Sequence, residues 1–240
     1  MKRALLLPIS DYLAALDRFP AGLGLLDIAW MGLGLLLSWH IYVPLHELLH
    51  ALGCLLGGGT VTVLEIAPQY GAAWLQQWFP FIQVGSEYAG RLSGFDTGGS
   101  DAVYLLTVFM PFILTIIIGV PLLRLAGGNR LSRALGIGAA LPVAYAGFIS
   151  LPGDCYEMGS ILVSDWASAW GSPYPPERWR SDDLPLLLQQ LFGNGDGNVQ
   201  DALIILLAFT VGVLIAYTIY WLGAALAQLY ARSSSTITTH

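Results

Sequence analysis

A chain of 240 residues that is 55% hydrophobic and only 11% charged falls far below the roughly 25% charge of a water-facing domain, so much of its surface meets something other than water. Its formal charge of −6 is spread thinly, and with no basic stretch to grip phosphates the composition argues against a nucleic-acid partner. Cys54 and Cys155 are the only cysteines, which excludes a disulfide framework.

In chain order, residues 1–20 begin with Met-Lys-Arg and an apolar run, but Asp11 and Asp17 interrupt it and no small-residue cleavage site follows. They read as a retained amphipathic lead-in. Residues 21–57 form the first span, apolar apart from Asp27 as far as Trp39. From there it continues through the histidines, and about 36 residues as one helix would rise about 54 Å, against a hydrocarbon core of about 30 Å. Pro44 predicts a kink or a fresh helix start, and Gly57 to Gly59 end the span. The β-branched run from Thr60 to Ile66, punctuated by Pro68 and Gly71, predicts a strand or small hairpin. Trp-, Phe- and Gly-rich residues then make the rest of 58–101 an interfacial loop.

Further spans are expected over 102–125, with Pro111 and Pro121 inside it, over 131–151 and over 201–230. Between the last two, residues 152–200 carry an acidic motif, a short helix and a polar loop, and 231–240 form a Ser/Thr-rich tail expected to be disordered. No internal repeat is present. The expected fold is therefore a single membrane domain over 1–240, an all-α integral membrane protein. It has about four transmembrane helices and a small β-hairpin after the histidine-bearing helix. With both termini cytoplasmic, the inner segments hold Lys2, Arg3, Arg18, Arg124, Arg130, Arg133 and Arg232, and the outer ones Arg91, Arg178 and Arg180. That excess favours this multi-pass orientation.

The chemistry lies in His46-Glu47-Leu48-Leu49-His50. Residues four apart share a helix face, so both imidazoles can reach one ion. Zn²⁺ takes two nitrogens and wants a third protein ligand, with one position left for water. Glu47 lies about 100° round the helix, placed to handle the proton of that water. The plainer reading makes all three interfacial residues bonded to backbone or headgroups, but ionisable groups near lipid are costly and tend to be functional. The third ligand is sought in 151–162, where Asp154 and Glu157 are three apart and on one face if helical. One would bind the metal and the other orient a partner. Against this, Asp154 could cap the helix after Pro152-Gly153, with Glu157 completing a capping box.

The stretch HELLHALGCLLGGGTVTVLEIAP resembles the start of the site-2 protease family of intramembrane zinc metalloproteases. There the histidine motif sits on a membrane helix, and a Gly-rich exit leads into a β-hairpin beside the active cleft. Tyr156-Glu-Met-Gly-Ser-Ile-Leu162 is similar to the family's L-D-G motif, with Glu157 at the Asp position and Pro152 where the family has a proline. The resemblance spans roughly residues 40–162. It implies zinc ligands His46, His50 and Glu157, with Glu47 as general base. Two features depart from the family pattern: Glu replaces Asp, and the charge count turns the site outward where the family turns it to the cytosol.

The leading expectation is a zinc-dependent peptidase that hydrolyses a transmembrane or membrane-proximal polypeptide. The alternative is a non-catalytic subunit or assembly factor of a larger membrane complex, docking through Trp74, Trp78, Phe79 and Phe81. Other residues draw plainer readings. Cys54 and Cys155 are small packing groups that approach each other if the two motifs converge. His40 either bonds Glu47 or is an interfacial histidine. Asp27 pairs across the bundle or lies at the interface, and the stretch from Asn194 to Asn198 is a polar turn.

Overall fold

The structure is a computed structural model that describes residues 2–19 and 22–237. Residue 1 of the lead-in, its junction with the first span at 20–21, and residues 238–240 of the tail lie outside the described residues. The lead-in folds as α1 (Lys2–Leu5) and α2 (Leu7–Leu16). Helix α2 turns Pro8, Asp11 and Ala15 inward and leaves Ile9 and Leu13 exposed. Asp11 accepts the Tyr220 hydroxyl at 3.1 Å and pairs with Arg124 at 3.4 Å.

Helix α3 (Leu25–Leu56) runs unbroken through Pro44, where a kink or second start was expected. Proline withholds one N–H from the His40 carbonyl, but Tyr42 and Val43 just before it are buried in the bundle and hold the chain helical. Asp27, in the first turn, binds the Gly24 N–H at 2.7 Å and the Arg130 guanidinium at 2.7 and 2.5 Å, so it pairs across the bundle.

Two segments, Leu25–Leu56 and Val199–Ser233, are long and apolar enough to cross a membrane. The second lies in α11 (Val199–Ile237), which carries on past Tyr230 to Ile237 where a disordered tail was expected. Each added residue there closes another hydrogen bond on an existing helix, the inexpensive step of helix growth. The expected span over 102–125 is a broken pair, α5 (Asp101–Phe109) and α6 (Phe112–Leu125), bent by 47°. Pro111 sits at the break. The region 131–151 is α7 (Arg130–Ala144) and a short α8 (Ala146–Ile149), followed by α9 (Asp154–Ala169) and the short α10 (Leu184–Leu188).

Small residues let these helices touch backbone to backbone. A Cβ on Gly138 of α7 would overlap the Met31 carbonyl of α3, and one on Gly159 of α9 the Ala208 carbonyl of α11. At one end of the bundle Arg18 donates to the Ala126 and Arg124 carbonyls that finish α6, at 2.9 and 2.6 Å. Arg133 donates to the Arg18 carbonyl, so Arg18, Arg124, Arg130 and Arg133 share that end.

The strand expected at Thr60 forms as β1 (Thr60–Ile66), but no tight hairpin follows it within 60–73. Residues 67–81 instead carry the short helix α4 (Ala72–Leu75) and lead into β2 (Ile82–Val84), which runs parallel to β1. The antiparallel partner is β3 (Gly90–Asp96), with Leu64 opposite Leu92 and Ile66 opposite Gly90. The order β2-β1-β3 leaves β3 at an edge. Leu64, Ile66 and Ile82 bury one face of the sheet against Ala51 of α3, Ala72 and Leu75. This docking places the start of β3 beside the histidine turn. Trp74 and Trp78 stand 61% and 68% exposed, in a run from 66 to 86 that contains no charged residue.

Candidate metal centre

His46 and His50 project from one face of α3, a turn apart, as their spacing requires. Their Nε2 atoms lie 3.1 Å from each other. Asp154 completes the group: Oδ2 is 3.1 Å from His46 Nε2, and Oδ1 is 3.6 Å from His50 Nε2. One donor atom from each of the three residues falls within 4.8 Å of the others, so the group can hold a metal ion.

The donors are aimed from behind. His50 Nδ1 lies 2.9 Å from the Thr107 carbonyl. A carbonyl can only accept, so Nδ1 carries the proton and Nε2 turns its lone pair toward Asp154 and His46. That carbonyl is available because the residue four positions on is Pro111, which has no N–H to offer it. His46 Nδ1 bonds the Tyr42 hydroxyl at 2.7 Å, one turn back on α3. Two imidazole nitrogens converging on each other and on a carboxylate repel unless a proton or a cation sits among them. A His₂Asp set facing inward fits a divalent cation that accepts N and O ligands.

Asp154 is the first residue of α9, and Gly153, not Asp154, occupies the cap position. The Asp154 N–H donates to Ser150 Oγ at 3.1 Å, and its carboxylate is left for the histidines. Glu157, the other candidate, lies one turn further and outside the three-residue group. Its Oε1 accepts the Tyr104 hydroxyl at 2.6 Å.

Glu47 stands between two clefts and lines both. One, of about 620 Å³, holds His50, Asp154, Glu157, Tyr104 and the residues of β3. The other, of about 440 Å³, is bordered by Trp39, Tyr42, His46, Pro142 and Ala146, a more apolar set. Tyr88, Gly90 and Asp182 also line both clefts, and the 182–183 segment makes two contacts there. Arg91 pairs with Asp182 at 2.8 Å, and the Tyr88 hydroxyl donates to Asp183 at 2.8 Å. The Asp183 carboxylate pushes the Tyr88 phenol up from its ordinary value.

Thr107, Tyr42, Tyr104 and Gly90 have no sequence motif to announce them. Only the Pro111 break hinted that a carbonyl four residues earlier would be free. His40 bonds the Leu36 carbonyl and stacks near Tyr70, away from Glu47. The two cysteines do not meet: Cys54 lies against the Thr60 and Asp96 carbonyls, and Cys155 is buried with Tyr42 and Ala216. Asn198, at the end of the polar turn, caps α11 through the Gln200 and Asp201 N–H groups. Comparison with protein-family models, curated proteins and solved structures finds no match.

Proposed function

We propose that this chain is a zinc-dependent peptidase of the membrane, similar in plan to the site-2 proteases, that hydrolyses a transmembrane or membrane-proximal polypeptide. The observation that carries the reading is the meeting of His46, His50 and Asp154 next to Glu47, which lines both the cleft that holds His50 and Asp154 and the cleft that holds His46. On this reading His46, His50 and Asp154 hold the ion. Zinc bound there would supply Lewis-acid polarisation of a carbonyl and of water. Glu47 takes a proton from the attacking water and returns it to the leaving amine. The smaller cleft gives Glu47 a more apolar wall on one side, and the larger cleft a polar one on the other.

The same reading has four crossings: α3, the bent α5–α6 pair, α7–α8 and α11, with both termini cytoplasmic. The gathering of Arg18, Arg124, Arg130 and Arg133 at one end supports it. The exposed Trp74 and Trp78, in an uncharged run, suit a lipid interface. They also suit docking in a larger complex, the basis of the non-catalytic alternative. A carboxylate beside the donor group favours the enzyme. Glu47→Gln tests it: the variant should keep its metal and lose peptide-bond cleavage, and cleavage at the wild-type rate would refute the reading.

A further inference from the structure

Two guanidinium groups line the larger cleft, and each is already matched. Arg91 pairs with Asp182 through Nε at 2.8 Å and Nη2 at 3.1 Å. Arg180 binds Asp101 at 2.6 Å, Asp165 at 2.7 Å and Ser164 Oγ at 2.9 Å. Glu157 has no such partner. It is 8% exposed, lines the same cleft, and accepts only the Tyr104 hydroxyl, through one of its two oxygens. Among the described residues no basic side chain reaches ion-pair distance of it. Burial pushes the Glu157 carboxyl above the ordinary carboxylate range, and a cationic ligand brought into the cleft favours its charged form. Ionisable groups in such surroundings tend to be functional.

The setting specifies that ligand. Phe95 and Tyr104, with ring centroids 5.5 Å apart, form an aromatic wall of the cleft next to Glu157. Such a wall takes the aliphatic stem of a long side chain and favours a cation at its tip. Glu157 lies one helical turn from Asp154, so its Cβ is about 5–6 Å along the same face. An extended peptide advances about 3.3 Å per residue. We infer that Glu157 and Tyr104 form a subsite that selects a lysine or arginine side chain within two residues of the scissile bond. This rests on the peptidase reading above and adds to it a substrate class.

The test uses the full chain carrying Glu47→Gln, loaded with zinc in detergent. Its probes are fluorescein-labelled peptides that differ only by Lys, Leu or Glu at one of several successive positions. At one position the Lys peptide should bind about tenfold more tightly than the Leu peptide, the scale of one charged hydrogen bond, with the Glu peptide weakest. Adding Glu157→Gln should erase that gap and leave zinc content unchanged. Tyr104→Phe, which keeps the carboxylate, should preserve the gap. Equal binding of Lys and Leu peptides at every position, or a gap that survives Glu157→Gln, overturns the subsite and leaves the peptidase reading standing. Zinc-loaded protein that binds no peptide at all overturns both.

Discussion

Glu47 packs against the bare Cα of Gly90, so closely that a Cβ there would lie 2.8 Å from Glu47 Cδ. The first residue of β3 therefore fixes where the carboxylate can sit, because only glycine leaves the room. Gly90→Ala should push Glu47 off its position and lower kcat by about 100-fold, the cost of an ångström-scale misplacement. Zinc content should not change. Steady-state kinetics alongside metal analysis check this, and an unaltered kcat would show that Glu47 needs no such seat.

Pro111 acts on the site at one remove, by leaving the Thr107 carbonyl free to hold His50 Nδ1. In Pro111→Ala the new N–H competes for that carbonyl. Zinc affinity should fall by about tenfold or more, as for other groups that orient a ligand from behind, while the helical content stays the same. Competition against a chelator of known affinity measures it.

The helix contacts make a paired prediction about stability. Gly138→Ala forces a methyl into the Met31 backbone and should cost about 1–3 kcal/mol. Gly32→Ala, on the same α3 that Gly138 touches but with nothing within 4 Å, should be neutral or gain up to about 1 kcal/mol from helix propensity. Thermal unfolding of both in one detergent separates backbone contact from a general intolerance of alanine.

Asp201, fully buried at the start of α11, binds Arg178 at 2.7 and 2.9 Å, and also the Trp179 indole N–H at 2.8 Å. The carboxylate raises the Arg178 pKa from its ordinary value. Asp201→Ala strips four donors of their acceptor, the Asn198 N–H among them, and should destabilise by about 3–5 kcal/mol. Arg178→Ala leaves the fully buried Asp201 carboxylate without its counter-charge, so its cost should be of similar size. Chemical unfolding of the two variants compares them.

The legibility of the chain followed the range of the interactions involved. His46 and His50 are set by helical period alone, and the geometry matches that spacing. The choice between Asp154 and Glu157 was not readable, because three residues on one helix face leave both acids plausible. The turn at Pro152-Gly153 decides it by making Asp154 the first helical residue. Strand β1 announced itself by its β-branched run, whereas β3 starts with Gly90 and contains Gly94, which mask its propensity. The second turn-forming partner, β2, is only three residues long. Pro44 and Pro111 show the limit of local rules. Pro44 read as a kink or fresh helix start and Pro111 as lying within one span, yet α3 continues through the first and the chain bends by 47° at the second.

The central claim is that His46, His50 and Asp154 hold one ion, and elemental analysis of the purified chain tests it most directly. One zinc per chain is expected in the wild type, in Glu47→Gln and in Glu157→Gln, with loss in His46→Ala, His50→Ala and Asp154→Ala. A metal-free wild type, or zinc retained when those three ligands are removed one at a time, would contradict it.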